Sequence, residues 1–175
     1  MPTIMERQVA FSTPWFDVIG KRVESDPSLY YALEMADYVG VLAMDTAGEL
    51  ILVRQFRPAV ETWTLEVPAG LLERGETPEA CARREVLEET GYEGGQFEYL
   101  GTLRPNVARM SNHMWCFVAT DLRPAAPPRV PEPGIEIVRM PPSQFLDAMK
   151  DLQCEHALDF AVVALAMVKG RFPRS

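Results

Sequence analysis

Three glutamates, Glu85, Glu88 and Glu89, stand at i, i+3 and i+4 within TPEACARREVLEETG, residues 77–91. If that stretch is helical, all three carboxylates leave from one face. Like charges at this spacing cost about 0.2–0.5 kcal/mol per pair, and no Lys lies nearby in sequence to offset them. A hard divalent cation would reverse that repulsion, because Mg2+ takes oxygen ligands from one or two carboxylates together with waters and substrate phosphates. The spacing alone leaves two readings open, a solvated acidic face or a metal site.

The elements that would position these carboxylates are marked in the sequence. Thr77 can cap a helix, Pro78 suits its first position, and Gly91 stands where a left-handed C-cap residue is wanted. Between them Ala82, Val86 and Leu87 supply an apolar stripe. Ahead of the helix, β patterns occupy residues 15–24 and 29–35, an expected hairpin with its turn at Asp26-Pro27-Ser28, and then 38–45, 49–56 and 62–67. Pro68-Ala69-Gly70 should stop the last of these. After the helix come two expected strands, 97–104 and 113–120, around a loop at 105–112. Residues 121–134 hold five prolines and read as a stiff connector. A last strand at 135–140 and helices at 143–152 and 156–169 complete an α+β chain, an α/β/α sandwich with a mixed sheet and an N-terminal β-hairpin extension.

With 175 residues, 47% of them apolar and 24% charged, the chain has the proportions of one globular domain. A net charge of -8 argues against a general nucleic-acid or anionic-membrane binder, since those rely on Lys and Arg. Much of that charge has an address. Between Glu61 and Glu93, nine acids and three arginines put -6 of it in 33 residues. Cys81, Cys116 and Cys154 form an odd set without metal-ligand spacing, which favours a reducing, cytoplasmic setting. The N-terminal residues lack a leader-like pattern, and the longest apolar run, 160–168, is too short to span a bilayer.

Residues 70–92, GLLERGETPEACARREVLEETGY, fit the pattern G-x5-E-x7-R-E-U-x-E-E-x-G-U, where U is aliphatic. Gly70, Glu76, Arg84, Glu85, Val86, Glu88, Glu89 and Gly91 match, and only Tyr92 departs, at a position expected to pack in the core. This pattern is the Nudix box, so the chain resembles the Nudix hydrolases. Residues 53–76, with RQFRP and EVPAG, resemble the ADP-ribose and ADP-sugar pyrophosphatase branch of that family. The likeness is weakest at 105–134, where RPNVARMSNHMW replaces the branch's Pro-Gly pair and leaves the preferred substrate open.

The resemblance implies a Nudix domain over 37–175 and an N-terminal extension, 1–36, that crosses to the partner of a homodimer. It implies Mg2+, or Mn2+, in two or three ions once substrate is bound, held by Glu85, Glu88, Glu89 and the Ala69 carbonyl. Glu88 and Glu89 would thereby be catalytic. Arg84 and Glu76 would order the loop. Arg57 would hold the diphosphate, with Arg54 a second candidate, and Glu66 would bind metal or the terminal sugar. The general base in this branch is a loop Glu before the last strand; of Glu132 and Glu136, Glu132 falls in the loop and is favoured. Trp15 and Trp63 are either core aromatics or faces for a nucleobase. His113 and His156 lack ligand-like spacing and are expected in core or surface roles.

The expected activity is metal-dependent hydrolysis of a nucleoside diphosphate sugar, ADP-ribose or another ADP-sugar first, to AMP and a sugar phosphate. GDP-mannose or a related nucleotide sugar is the alternative within the class. A module that binds nucleotide sugars without cleaving them is the alternative outside it. Neither nucleic acid nor a membrane is expected as a partner.

Overall fold

A computed structural model describes residues 2–130 and 132–172. Met1, Pro131 and residues 173–175, which include the outer limits of the two expected domains, lie outside the described residues. The chain opens with β1 (Ile4–Ser12), β2 (Phe16–Val23) and β3 (Leu29–Met35), an antiparallel sheet in the order β1-β2-β3. The expected hairpin is thus a three-stranded sheet. β1 escaped notice because all nine of its residues are exposed, so no buried face imposes strict alternation on its sequence.

Next come β4 (Tyr38–Asp45), β5 (Leu50–Arg57), β6 (Thr62–Glu66), β7 (Ala69–Leu71) and α1 (Pro78–Thr90), then β8 (Tyr92–Leu103), β9 (Met114–Pro124), β10 (Ile135–Met140), α2 (Pro142–Lys150) and α3 (Ala157–Val168). The second sheet runs β10-β5-β4-β9-β8, with β6 on β5 and β7 on β4. It is mixed, since β4 and β9 are parallel while the other pairs are antiparallel. Alternate residues of β4 face opposite helical layers. Val39, Val41 and Ala43 join Cys81, Ala82 and Val86 of α1, while Leu42 joins Phe145 and Met149 of α2 and Val162, Val163 and Ala166 of α3. This is the expected α/β/α sandwich. Among the described residues no helix is long and apolar enough to cross a membrane.

Three boundaries differ from expectation. Pro68-Ala69-Gly70 does not end the sheet, because β7 forms directly after Pro68, whose carbonyl accepts the Val41 N–H at 2.9 Å. β8 begins at Tyr92 rather than 97. β9 runs on to Pro124, with Tyr92 opposite Pro124, so the supposed connector contributes four residues to an edge hairpin, where a terminal proline is tolerated.

The β7 difference shapes the site. β4 and β5 pair only at Ala43–Ile51 and Met44–Leu50, and beyond that point β6 takes the edge of β5 while β7 takes the edge of β4. The sheet therefore splits, with Glu66, Val67, Pro68 and Ala69 bridging the split.

Candidate active site

α1 is capped as the sequence indicates. Thr77 accepts the Ala80 N–H at 3.2 Å, and Gly91, in the left-handed region at φ 69°, donates its N–H to the Leu87 carbonyl. A side chain at Gly91 would also collide with the Arg129 carbonyl, 2.8 Å from an added Cβ. At the other end Gly70 lies so close to α1 that a Cβ there would sit 1.9 Å from the Glu85 carboxyl carbon. This contact brings the split in the sheet up against the acidic face.

The three glutamates do share that face, but they are not alike. Arg84 hydrogen-bonds both oxygens of Glu76 at 2.9 Å, Glu85 at 2.7 Å, Glu88 at 3.0 Å and the Leu71 carbonyl at 3.0 Å. Arg129 adds a longer ion pair to Glu88, 3.7 Å. The expectation that the acidic face lacks compensation is therefore corrected for Glu85 and Glu88. Arg84 precedes Glu85 by one residue and reaches it sideways, a contact that face-by-face spacing does not reveal.

Glu89 is the exception. It is only 6% exposed, and its recorded hydrogen bond is from the Ala69 N–H, at 3.0 Å. Burial pushes its carboxyl up to about 8, with Glu85 adding to the rise. Burial also raises Glu85, against the pull of Arg84.

Among the described residues no three His, Cys, Asp or Glu side chains are gathered closely enough to hold a metal ion. Arg84 and the Ala69 N–H hold the carboxylates instead. Two observations make these residues fit a divalent cation all the same: the donors are all oxygens, the preference of a hard ion, and Glu89 is a buried carboxylate with no salt-bridge partner among the described residues, which is costly unless it is protonated or meets a cation. Glu85, Glu88, Glu89 and the Ala69 carbonyl would hold the ion, once Glu85 and Glu88 turn from Arg84.

Across the split, Glu66 is 3% exposed and receives Arg57 Nε at 2.8 Å, Arg57 Nη2 at 2.5 Å and Thr64 Oγ1 at 2.5 Å. Burial opposes its charge, but the Arg57 fork prevails and holds the carboxyl below its usual range. The hydrogen bond to Glu66 in turn raises Arg57.

The β5–β6 register separates the other candidates. Arg57, Thr64 and Glu66 share one face of this ribbon, whereas Arg54, Phe56 and Trp63 share the other. There Arg54 stacks over Trp63 at 5.5 Å and pairs with Glu136 at 3.3 Å, and Phe56 meets Trp63 edge-on at 6.3 Å. Arg54 and Arg57 thus do not converge on one spot. Trp15 sits 70% exposed in the turn between β1 and β2 of the separate sheet. Glu132 donates its backbone N–H to the Glu88 carbonyl at 3.3 Å and lines a small hollow with Glu88 and Arg129. Glu136 lies on β10, exposed and paired with Arg54.

Sequence reasoning missed two further residues. Arg129 on the Pro-rich loop carried no signal. Asp159 did: it is the one charged residue in an otherwise apolar α3, and it is buried with its carboxylate on the Val67 N–H. Tyr92, the departure from the box pattern, is half-buried against the α1 layer, and its hydroxyl accepts from Arg139 at 3.3 Å.

A family model described as the NUDIX domain matches residues 35–158. An ADP-sugar pyrophosphatase of Mus musculus is 35% identical over 120 residues, 62% of this chain and 53% of that protein. A GDP-mannose pyrophosphatase of Escherichia coli is 36% identical over 112 residues, 58% of this chain and 57% of that protein. The chain thus spans little more than half the length of these curated relatives. A crystal structure titled as an ADP compounds hydrolase superposes with a TM-score of 0.80 at 24% identity, over 97% of this chain and 96% of that one, and so shares the fold.

Proposed function

The chain belongs to the Nudix family, and from that membership we propose that it is a divalent-metal-dependent pyrophosphohydrolase of nucleoside diphosphate sugars, with ADP-ribose or another ADP-sugar as first substrate. The observation that carries the proposal is Glu89, a buried carboxylate with no salt-bridge partner among the described residues, where α1 meets Ala69 and Gly70 of β7. The single hydrogen bond from the Ala69 N–H is a small structural return for burying that group. A site for a cation and a diphosphate gains more from it.

Bound there, Mg2+ or Mn2+, in two or three ions, would polarise a phosphoryl oxygen and lower the pKa of a water. The chain supplies the remaining parts. Glu85, Glu88 and Glu89 present anionic oxygens, and Gly70 lets β7 approach them. Arg57, a planar fork beside the split, binds the diphosphate. Glu132 takes the proton of the attacking water in this proposal, supported by its backbone tether to Glu88 near the end of α1. Cleavage of one P–O–P bond leaves AMP and a sugar phosphate.

The first test is release of AMP from ADP-ribose by the purified protein with Mg2+. Absence of release, with cleavage of another diphosphate, removes the substrate and keeps the class. The GDP-mannose pyrophosphatase similarity supports the second substrate to assay. If nucleotide sugars bind and none is cleaved, the protein is instead a binding module.

The N-terminal residues 1–36 form the dimerisation element in this proposal. Support comes from β1, which lies open on the molecule with Met5, Val9 and Phe11 exposed, an apolar display that a second copy would cover. Trp15, exposed in the turn between β1 and β2 of the separate three-stranded sheet, would meet a nucleobase across such a dimer. Sedimentation at micromolar concentration checks this: a monomer removes the dimer and the role of Trp15 together. The three free, buried cysteines suit a cytoplasmic setting.

A further inference from the structure

Asp159 is 1% exposed, and a carboxylate that deep persists only with its oxygens bonded. Its Oδ2 accepts the Val67 N–H at 3.1 Å and lies 3.8 Å from Cys154 Sγ, while its Oδ1 meets His156 Nδ1 at 3.0 Å. Val67 follows Glu66, the last residue of β6, and with Pro68 joins it to β7. Its N–H is left over where β6 ends, and α3 supplies the acceptor. One buried side chain therefore fixes both the strand end that carries Glu66 and the imidazole of His156.

His156 also lines a cleft of about 420 Å³ with Arg57, Thr64, Glu66 and Glu155, between which stand only small aliphatic side chains. That volume falls in the usual range for small-ligand sites. Because Asp159 is an acceptor, it selects the form with a proton on Nδ1 and leaves Nε2 as the ring's other polar atom. Arg57 engages Glu66 through Nε and Nη2, leaving Nη1. The cleft thus offers two cationic or neutral nitrogen groups and two carboxylates, and it lacks the flat aromatic wall a nucleobase uses. Trp63 and Phe56 lie on the opposite face of the β5–β6 ribbon.

We propose that His156, oriented by Asp159, is a specificity-determining residue that binds the sugar-phosphate half of a nucleoside diphosphate sugar in the cleft between β6 and α3. The inference rests on the pyrophosphatase reading above and adds the half of the substrate that this cleft holds. Phosphate oxygens meet Arg57 and His156, and sugar hydroxyls donate to Glu66 and Glu155. The hydrogen bond to Asp159 raises the imidazole above its ordinary value, which favours the form that donates from both nitrogens.

The chain has two histidines, and His113 is elsewhere, beside Asp37 at 3.4 Å. Histidine-selective 15N NMR of the whole protein, assigned with His113→Gln, therefore reads His156 directly. Addition of ribose 5-phosphate is expected to shift the His156 resonances, and addition of AMP to leave them in place. No shift with ribose 5-phosphate, or an equal shift with AMP, overturns the proposal. In turnover, His156→Asn is expected to raise KM about tenfold with kcat within about threefold, the size of one hydrogen bond to a charged group. An unchanged KM overturns the role, and an unchanged melting temperature in the variant separates it from a folding defect. If the wild type cleaves no nucleoside diphosphate sugar, the pyrophosphatase reading falls on that assay, and the NMR result alone decides whether the cleft takes a sugar phosphate.

Discussion

The acidic surface around α1 has two sides built on opposite terms. On one side Arg84 meets Glu76, Glu85 and Glu88. On the other, one turn beyond Glu85, Glu89 is more deeply buried and has a backbone N–H for company. Both sides are acidic in sequence, yet only the first is neutralised by the chain itself. A carboxylate bonded to an arginine is accounted for by the fold, whereas one buried without a cation needs something from outside. The same contrast separates Glu136, paired with Arg54, from Glu132, held by its backbone alone.

The sharpest way to break this contrast is Glu89→Gln. The amide keeps the size of the side chain and removes its charge, so it loses ligand character without opening a cavity. The expected result is a fall of about 10³-fold in kcat with Mg2+, roughly 4 kcal/mol of transition-state stabilisation, with folding intact by circular dichroism. Activity within a few fold of wild type would mean that Glu89 is an expensive structural group and not a ligand.

Glu132→Gln comes next. A general base contributes about 10²- to 10⁴-fold, so a loss of at least about 10² is expected, while Glu136→Gln should stay within about twofold, as exposed pairs are worth little. Equal losses in the two variants would erase the distinction between them.

Much of this arrangement was legible in the sequence, for reasons that are local. The ends of α1 were readable because Thr77, Pro78 and Gly91 act within one turn of their own positions. Strand β4 and the first half of β5, Leu50 to Val53, were readable because both faces are buried there and their apolar runs are continuous. Contacts made by long side chains or across the fold were not. Arg84 meets Glu88 at the i, i+4 spacing of a helix, but its contacts with Glu76, the adjacent Glu85 and the Leu71 carbonyl are ones that spacing does not encode, and Asp159 meets Val67 at a separation of 92 residues. β1 is unreadable for the opposite reason: with every residue exposed, burial imposes no pattern. The separation of Arg54 from Arg57 could have been read, since three positions along a strand reverse the face.

Arg84→Ala probes the neutralised side. It leaves Glu76, Glu85 and Glu88 without their shared cation in a partly buried setting, and the expected loss is about 2–3 kcal/mol of unfolding free energy, below the full cost of breaking a buried pair because Arg84 is partly solvated. Chemical denaturation with and without Mg2+ checks it. The loss should shrink with Mg2+, as the ion takes over two of the orphaned carboxylates. A variant as stable as wild type would show that the network is incidental.

The smallest effect is in the pH dependence of metal-free stability, where the two sides have opposite signs. The Arg84 hydrogen bonds hold the Glu76 carboxyl down at about 2 against an ordinary 4.5. Between those values the unfolded chain binds more protons, so this contribution is complete above 4.5 and lost as pH falls toward 2. Glu89 is displaced the other way, by burial, to about 8. Between 4.5 and 8 the folded chain binds more protons, so stability from this group falls as pH rises, by at most about 1.4 kcal/mol per pH unit, and levels off above 8. These two groups together favour a stability maximum near 4.5 in metal-free protein. Glu89→Gln should flatten the neutral limb and leave the acid limb, Arg84→Ala should do the reverse, and Mg2+ should flatten the neutral limb in the wild type because a cation favours the ionised carboxylate. A neutral limb that persists in Glu89→Gln would move the buried charge elsewhere, and with it the reason for placing a cation at this end of α1.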